Sequence, residues 1–552
     1  MIIGIWVDAK TCPERPFKVS TSSSPQGVAA TPSSPTRPSD LLPLLRAYLV
    51  YGLISVPFLV DYAPALLDHL LCIPILGSIV KSFVRSTFFT HYVGGETVQE
   101  SLAAMHRLRS ENVGALLVYS VEVDGASGQD RCSGIGLLRD TSSEQPIHKR
   151  SVEEVINSID TAGNFEDDVT SGSRGLGRTT CVAVKLSALL PRADALRNLS
   201  LHLVATRPML SDPVPFPGSP DSTDLAIFHQ RTVHRAGSPL TEEDIKDLNG
   251  LYDDLKRICT RAKERGVRVM IDAEYSWYQP AVDAFGHALM EKFNKLPEEK
   301  GWLTRWMRRS SSTSREHVEL QPLVYATYQA YLKRTPAHLA HSLALSRKNG
   351  YALGVKLVRG AYHPYELAAH SNCSIRTMSI SPDPDPPVYL SKEDTDACYN
   401  QCASTLVSAM AEDIASPKTP PPRLAVLFGT HNWLSTELVL DALVSNGLAR
   451  EEDRAGDARG ALIIPPEVAE RCTFAQLYGM ADSLTGYIVQ RTRSTAPCVV
   501  KYMPYGALTE VMPYLCRRAI ENKSVLGNGG ATRERKEAAL GIWNILFGNA
   551  RL

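Results

Sequence analysis

The stretch LTEEDIKDLNGLYDDLKRICTRAKERGVRVMIDAE, residues 240–274, predicts one amphipathic helix followed directly by one buried strand. Apolar residues recur in it at steps of three and four, as on one face of a helix, at Ile245, Leu248, Tyr252, Leu255 and Ile258. Thr241 is suited to cap the amino end of this helix, and Gly266 is suited to end it. The strand that follows closes on two acidic residues, Asp272 and Glu274.

The same alternation of helix and strand runs along most of the chain. Short apolar runs, typical of strands buried on both faces, are GALLVYSV (114–121), TCVAVKLSA (180–188), VRVMIDAE (267–274), LVYATYQAY (323–331), LGVKLVRGAY (353–362), RLAVLFGTHN (423–432), FAQLYGM (474–480) and PCVVKYMPYG (497–506). Eight such runs separated by helices predict an α/β fold and favour a closed (β/α)8 barrel, or TIM barrel. An open doubly wound sheet is the alternative. No GxGxxG motif follows any of the runs, which argues against a dinucleotide-binding Rossmann domain.

Composition excludes several other classes of protein. The 552 residues include 59 Lys and Arg and 59 Asp and Glu, so net charge gives no reason to expect a nucleic-acid partner. The 11 cysteines show neither CxxC nor Cys/His metal-ligand spacing. We therefore expect no disulfide framework and no metal site, and a reducing compartment fits best.

The amino-terminal part of the chain differs from the rest. Residues 1–40 are rich in Ser, Thr and Pro, which predicts disorder and is compatible with a mitochondrial targeting segment. Residues 41–93 form an apolar helical segment, but the uncharged run 47–60 contains only 14 residues, short of the ~20 that span a bilayer. These helices are expected either to pack on the main domain or to lie against a membrane surface. The barrel is expected over residues 94–530, and a helical tail over 531–552.

Polar side chains follow the apolar runs at the end of nearly every predicted strand. They are Lys185, Asp272, Glu274, Gln329, Lys356, Arg359, Thr430, His431, Asn432, Gln476 and Tyr502. Active sites of such barrels lie at the carboxyl ends of the strands, and buried charges are costly without partners. The set contains several cations but no HExxH motif and no Ser-His-Asp order. It predicts a pocket for a phosphate-bearing cofactor together with a small carboxylate substrate.

A second cationic group follows the last strand, in YMPYGALTEVMPYLCRRAIEN (502–522). Tyr514, Arg517 and Arg518 share one face if this stretch is helical. Two adjacent guanidiniums match the geometry of a bound carboxylate or phosphate. Pro513 is expected to start or bend the helix.

Taken in order, these motifs resemble proline dehydrogenase, a flavoenzyme family that also supplies one module of bacterial bifunctional proline-utilisation proteins. The resemblance runs from Gly94 to Asn522 and is carried by VKLSALLPR (184–192), IDAE (271–274), QAYLKRTP (329–336), LVRGAY (357–362), GTHN (429–432), QLYGM (476–480) and YMPYG with PYLCRRAIEN (502–522). It implies a distorted barrel whose last helix, carrying Tyr514 to Glu521, lies over the barrel mouth.

The resemblance also implies roles for individual residues. Arg517, Arg518 and Lys185 would clamp the proline carboxylate, and Asp272 would order the site beneath the flavin. Residues packing around the substrate ring would be Ala361, Tyr362, Leu477, Tyr502 and Tyr514. The bulk of Tyr502 would favour proline, since relatives that oxidise hydroxyproline have a smaller residue there.

Non-covalent FAD would be held by residues from most of the strand ends and from the last helix. They are Asp272, Gln329, Lys356, Val358, Arg359, Gly360, Ala361, His363, Thr430, His431, Asn432, Gln476, Tyr478, Arg518 and Glu521. The chain departs from the bacterial pattern at three of these positions. That pattern has Arg at Lys356, Lys at Arg359 and Trp at His363.

The implied reaction is hydride transfer from C5 of L-proline to N5 of FAD, which gives Δ1-pyrroline-5-carboxylate, the first step of proline catabolism. Electrons would pass to a quinone, on the matrix side of the mitochondrial inner membrane. Three other functions stay open. They are hydroxyproline oxidation, a Schiff-base lyase or aldolase using Lys185, and a non-catalytic barrel that senses proline.

Overall fold

The computed structural model describes residues 41–56, 73–120, 146–170, 177–208, 210–228, 239–297, 321–371, 378–416, 423–452, 460–524 and 530–548, with a few single positions between 58 and 70. The predicted targeting segment, residues 1–40, lies outside the described residues. The described residues belong to two compact units. One contains those between 94 and 510, and the other contains those between 41 and 93 and between 511 and 548.

The larger unit is a closed barrel of parallel strands. They are β1 (Gly114–Tyr119), β2 (Cys181–Val184), β3 (Arg268–Ile271), β4 (Val324–Gln329), β5 (Leu353–Val358), β6 (Leu424–Gly429), β7 (Cys472–Leu477) and β8 (Val499–Tyr505). Each strand pairs with its neighbour in the chain, and β8 pairs with β1 to close the barrel. Seven of the eight predicted apolar runs contain one of these strands, and the run 474–480 overlaps β7, which begins two residues earlier. The predicted (β/α)8 barrel is therefore confirmed, and the open-sheet alternative is wrong.

Helices connect and surround the strands. In the larger unit they are Val98–Ser110, Ile147–Val169, Asp194–Thr206, Glu242–Arg265, Gln279–Phe293, Thr335–Asn349, His363–His370, Lys392–Ala415, Trp433–Ser445, Pro466–Ala469 and Asp482–Arg491. Short 3-10 turns lie at Leu186–Leu189 and Ala226–Phe228, and a small separate sheet joins Arg450–Glu451, Leu462–Ile463 and Thr492–Arg493.

The helix Glu242–Arg265 begins and ends where the sequence predicted. The Thr241 side chain accepts a hydrogen bond from the Asp244 amide at 3.1 Å, and the Asp244 carboxylate accepts one from the Thr241 amide at 3.0 Å. This reciprocal pair is a capping box. Gly266 ends the helix with φ +62°, a left-handed conformation that favours glycine.

Side chains alternate between the barrel interior and the surrounding helices, as the period of a strand requires. The interior is filled by an apolar cluster that includes Leu116, Ala183, Met270, Leu427 and Val500. Lys185 and Asp272 each come two residues after a member of this cluster. The alternation therefore directs both toward the interior at the carboxyl end of the barrel.

The smaller unit is built of helices from both ends of the described chain. They are Leu41–Ile54, Pro74–Val84, a π-helical turn Arg85–Phe89, Thr90–Tyr92, the part of Leu508–Ser524 from residue 511, and Gly530–Phe547. Leu44 and Tyr48 pack against Ala539 and Ile542. Among the described helices, none combines the length and apolar character that crossing a bilayer requires.

The helix Leu508–Ser524 begins five residues before Pro513, which therefore lies inside it. Of the two possibilities predicted for Pro513, starting the helix is therefore wrong, and bending it stays a prediction. The preceding residues 508–512 supply its first turn.

Candidate active site

Asp272, Lys356 and Tyr502 form a buried network inside the carboxyl end of the barrel. The Lys356 Nζ lies 2.5 Å from Asp272 Oδ1, and the Tyr502 hydroxyl donates to Asp272 Oδ2 at 2.8 Å. The Lys356 ammonium also lies 4.9 Å from the centre of the Tyr502 ring. Three strands, β3, β5 and β8, thus meet at one carboxylate. The sequence predicted all three residues for the site, and the family resemblance placed Asp272 near Tyr502, but the ion pair of Asp272 with Lys356 was not predicted.

A second polar group lies beside β2, β3 and β4. The Ser187 amide donates to Glu274 Oε1 at 3.0 Å, and the Gln329 side-chain amide donates to the Glu274 carbonyl at 2.9 Å. Burial raises the pKa of Glu274, against the opposing effects of the hydrogen bonds from Ser187 and the charge of Lys185. Lys185 is therefore electrostatically linked to Glu274, which was not among the predicted substrate or cofactor residues.

Arg359 is held from several directions after the end of β5. Its guanidinium donates to Asp396 at 2.5 Å and to the hydroxyls of Thr430 and Ser435, each at 2.7 Å. It also stacks over the Tyr399 ring at 4.3 Å. Burial opposes ionisation of Asp396, but ion pairing with Lys392 and Arg359 lowers its pKa below the usual value. Arg359 is thus fixed in one orientation.

The turn after Arg359 requires glycine. Gly360 has φ +117°, and a Cβ atom at this position would lie 1.5 Å from the Tyr331 ring. The main chain therefore lies directly against Tyr331 and brings Ala361 and Tyr362 to the strand end. Tyr362 is buried and contacts the Tyr275 ring at 4.4 Å, whereas Ala361 is exposed.

His363 begins the next helix, and its Nε2 lies 2.7 Å from the Tyr389 carbonyl. A carbonyl only accepts hydrogen bonds, so Nε2 carries the proton. The ring is thereby fixed by a contact that does not depend on aromatic stacking.

Val358, another predicted cofactor residue, is the last residue of β5 and is partly buried.

The ends of β6 and β7 bring together the remaining predicted cofactor residues of the barrel. His431 Nε2 accepts from the Leu477 amide at 3.0 Å, which leaves the proton on Nδ1. The Gln476 side chain accepts from Thr485 at 3.0 Å and donates to the Thr430 carbonyl at 3.4 Å.

Two further predicted residues are tied to neighbouring helices. Asn432 caps the helix Trp433–Ser445 by accepting from the Ser435 amide. The Tyr478 hydroxyl accepts from Arg107 at 2.9 Å.

In the smaller unit, Tyr514 and Arg518 share one helix face, as their spacing predicted. The Arg518 guanidinium carbon lies 5.0 Å from the centre of the Tyr514 ring, and both side chains are buried. Arg517 is partly exposed. The side chain of Glu521 lies outside the described residues. The approach of these side chains to Lys185 stays a prediction.

Sequence patterns missed the side chains that support the predicted ones. Asp396 and Ser435 hold Arg359, and Glu366 holds the loop after β3 by accepting from the Ser276 amide at 2.7 Å and hydroxyl at 2.5 Å. Burial raises the pKa of Glu366 to about 7, although Ser276 and Tyr331 oppose the shift. One feature of the sequence indicated that Glu366 could belong to the site. It follows Tyr362 by four residues and lies in the first turn of the helix after β5.

A closed (β/α)8 barrel with a charged, hydrogen-bonded network at its carboxyl end belongs to the class of barrel enzymes. The sequence pattern of the proline dehydrogenase family matches residues 127–529. The chain belongs to the proline dehydrogenase family.

Two curated relatives cover most of the chain. The mitochondrial proline dehydrogenase 2 of Arabidopsis thaliana is 27% identical over 505 residues, which are 90% of this chain and 86% of the relative. The hydroxyproline dehydrogenase of Mus musculus is 28% identical over 506 residues, which are 92% of this chain and 91% of the relative.

The fold is also similar to a crystal structure of proline utilization A from Bdellovibrio bacteriovorus, inactivated by N-propargylglycine. The TM-score is 0.53 and the identity is 17%. The alignment covers 91% of this chain but 39% of that longer chain.

Proposed function

We propose that this protein oxidises L-proline to Δ1-pyrroline-5-carboxylate, the first step of proline catabolism. The observation that carries the proposal is the network of Asp272, Lys356 and Tyr502 at the carboxyl end of the barrel. All three lie at positions that resemble the substrate and flavin residues of the family to which the chain belongs.

The described side chains fit a flavin with a phosphate-bearing arm. Such a group requires amide and hydroxyl partners for its ring edge and fixed cations for its phosphates. The carboxyl ends of β4 to β7 present these types of side chain at Gln329, Lys356, Arg359, Thr430 and Gln476. When bound, FAD supplies the two-electron acceptor that no amino-acid side chain provides. Lys356 and Arg359 would hold positive charge beside it, with Asp272 and Asp396 fixing their positions.

For the substrate, Lys185, Arg517 and Arg518 would bind the carboxylate. Charge-assisted hydrogen bonds of this kind contribute roughly 1.5–3 kcal/mol each. A cationic pocket also disfavours an ammonium group, so it would favour proline with a neutral amine. Tyr362 and Leu477 would pack against the ring from the strand ends.

Proline is favoured over hydroxyproline by Tyr502. The chain is 27% identical to the Arabidopsis proline dehydrogenase and 28% identical to the murine hydroxyproline dehydrogenase. Sequence identity therefore does not distinguish the two substrates. Because its hydroxyl is tied to Asp272, the Tyr502 ring cannot swing away to admit an added hydroxyl group without losing that hydrogen bond. Hydroxyproline oxidation is the second candidate function, favoured by the murine relative.

We place the protein in the mitochondrion, at the inner-membrane surface, with a quinone as electron acceptor. The Arabidopsis relative is a mitochondrial proline dehydrogenase. The helix Pro74–Val84 exposes Ile75, Ile79 and Phe83, which are 80%, 61% and 44% exposed. These residues lie four apart, on one side of the helix, whereas Lys81 lies on the opposite side. We name the side of Ile75, Ile79 and Phe83 the apolar stripe; it suits a lipid surface.

Absorption spectra of the purified protein, recorded before and after anaerobic addition of proline, test the proposal. We expect a yellow protein whose flavin band decreases with proline and less with hydroxyproline. A colourless protein that is trapped on a carbonyl substrate by borohydride would support a Schiff-base enzyme instead. A yellow protein that stays unchanged with both amino acids would overturn the proposed oxidation.

A further inference from the structure

Two cysteines lie one turn apart on the helix Lys392–Ala415. Cys398 and Cys402 are both buried, and both are free thiols. Hydrogen bonding from Cys402 lowers the pKa of Cys398 and, with a smaller contribution from Tyr389, outweighs the opposing effect of burial. The two thiols lie four residues apart, on one side of the helix, and Tyr389 is partly exposed.

Each thiol lies next to a tyrosine that contacts one of the proposed FAD-binding residues. Cys402 follows Tyr399 by three residues on the same side of the helix, and Tyr399 carries the Arg359 guanidinium at 4.3 Å. Cys398 adjoins Tyr389, whose carbonyl accepts from His363 at 2.7 Å. The thiol pair therefore lies between the supports of Arg359 and His363.

We propose that Cys398 and Cys402 form a modification site for soft thiophilic species that bind two thiols, and that its occupation loosens the flavin arm. The second half of this statement rests on the proposed function. With phenylarsine oxide as the probe, both thiols attack arsenic and two As–S bonds form. The oxide oxygen leaves as water with the two thiol protons, and no electron is transferred.

A bridging atom fits this pair better than a direct disulfide does. Residues four apart on a helix have Cβ atoms about 5–6 Å apart. A disulfide needs a Cβ separation of about 3.5–4.5 Å, so it would distort the helix. An inserted arsenic atom lengthens the link and removes this requirement.

The experiment treats the full-length holoprotein with phenylarsine oxide and then with excess glutathione. A two-thiol adduct survives this wash because release requires both bonds to break, whereas a one-thiol adduct is removed. Intact mass and peptide mapping locate the adduct, and flavin fluorescence in the filtrate measures release. The variants are C398S, C402S and, as the matched control, C259S, which removes a buried thiol from another helix.

We expect one adduct that links Cys398 to Cys402 in wild type and in C259S, and none in C398S or C402S. We expect flavin retention to weaken about fivefold on modification, the effect of one disturbed hydrogen bond. A washed adduct that persists in C398S or C402S would overturn the site. An adduct at the pair with unchanged flavin retention would overturn the link to the flavin arm. Because the mass readout needs no flavin, a protein that proves to lack the cofactor leaves the test of the site intact.

Discussion

The Tyr502 hydroxyl donates to the Asp272 carboxylate at 2.8 Å, although the strands that carry them are separated around the barrel by β1 and β2. The contact therefore crosses the barrel interior. The second oxygen of Asp272 lies 2.5 Å from Lys356 on β5. Asp272 is thus fixed by two partners from two directions, and it in turn fixes the cation and the ring at the proposed reaction site.

Replacing Asp272 by Asn is expected to destabilise the protein strongly. The variant leaves the Lys356 ammonium buried without a counter-ion, and breaking a buried pair in this way costs about 3–5 kcal/mol. Urea denaturation measures the free energy of unfolding. The double variant D272N/K356Q removes both charges and should recover most of the loss. Losses that add in the double variant would show that the two residues do not act as a pair.

Replacing Tyr502 separates its hydrogen bond from its bulk. Tyr502→Phe keeps the ring but removes the bond to Asp272 that holds it, so it should lower kcat/KM for proline and weaken the preference over hydroxyproline only in part. Tyr502→Ser removes the bulk, so it should lower kcat/KM for proline and raise the relative value for hydroxyproline. Loss of a well-packed ring commonly costs about 1–3 kcal/mol, roughly 10- to 200-fold in such ratios. An unaltered preference in Tyr502→Ser would remove this residue from the specificity of the site.

The barrel could be predicted from sequence because its strands are apolar on both faces, so each one leaves a short continuous apolar run. Alternation within a strand then fixed which residues face inward, as at Asp272, Lys356 and Tyr502. These signals are local, and each can be recognised within about ten residues.

The supporting contacts could not be predicted because they join distant parts of the chain. Arg359 meets Ser435 across 76 positions, and Arg107 meets Tyr478 across 371. Charged residues such as Asp396 lie on amphipathic helices, where most acidic residues face water, and no pattern distinguishes the one that pairs. Local sequence could not decide whether Pro513 starts or bends its helix, since proline is tolerated inside a helix once tertiary packing compensates for the missing amide.

Arg517 and Arg359 should differ in what they bind. Arg517→Met is expected to raise KM for proline by about 10- to 100-fold, the loss of one charge-assisted contact, with flavin content near normal. Arg359→Met is expected to lower the flavin content, because it removes a cation held by Asp396, Thr430 and Ser435. Bound flavin per chain and KM, measured for both variants, provide the comparison. Proline kinetics in Arg517→Met equal to wild type would contradict the carboxylate clamp.

If the apolar stripe contacts lipid, a charge placed within it should weaken membrane binding. Ile79→Glu places a charge among Ile75 and Phe83 and should abolish cosedimentation with vesicles that contain anionic lipid, while it leaves the absorption spectrum unchanged. Leu434→Glu is the matched control, since Leu434 is 50% exposed on a helix of the barrel unit. Equal vesicle binding by both variants would argue that the stripe does not contact lipid.

The raised pKa of the buried Glu366 carboxyl should make the stability of the protein depend on pH. Burial raises its pKa from 4.5 to about 7, so the folded protein keeps a proton that the unfolded chain releases over that range. The contribution of the protonated carboxyl to stability is therefore full below about pH 4.5 and is lost as pH rises through 7, a change of roughly 3 kcal/mol.

Glu366→Gln should remove this pH dependence without removing the contacts. The amide oxygen still accepts from the Ser276 backbone amide. The Ser276 hydroxyl donates to the carboxyl in wild type, and in the variant it accepts from the side-chain NH2 group instead, so the contact is kept with its direction reversed. The free energy of unfolding, measured between pH 5 and pH 8, should fall less steeply with pH in Glu366→Gln than in wild type. Glu393→Gln, an exposed carboxyl in the first turn of the helix Lys392–Ala415, should leave the slope unchanged. A slope in Glu366→Gln identical to that of wild type would mean that Glu366 is already ionised in the folded protein at pH 5.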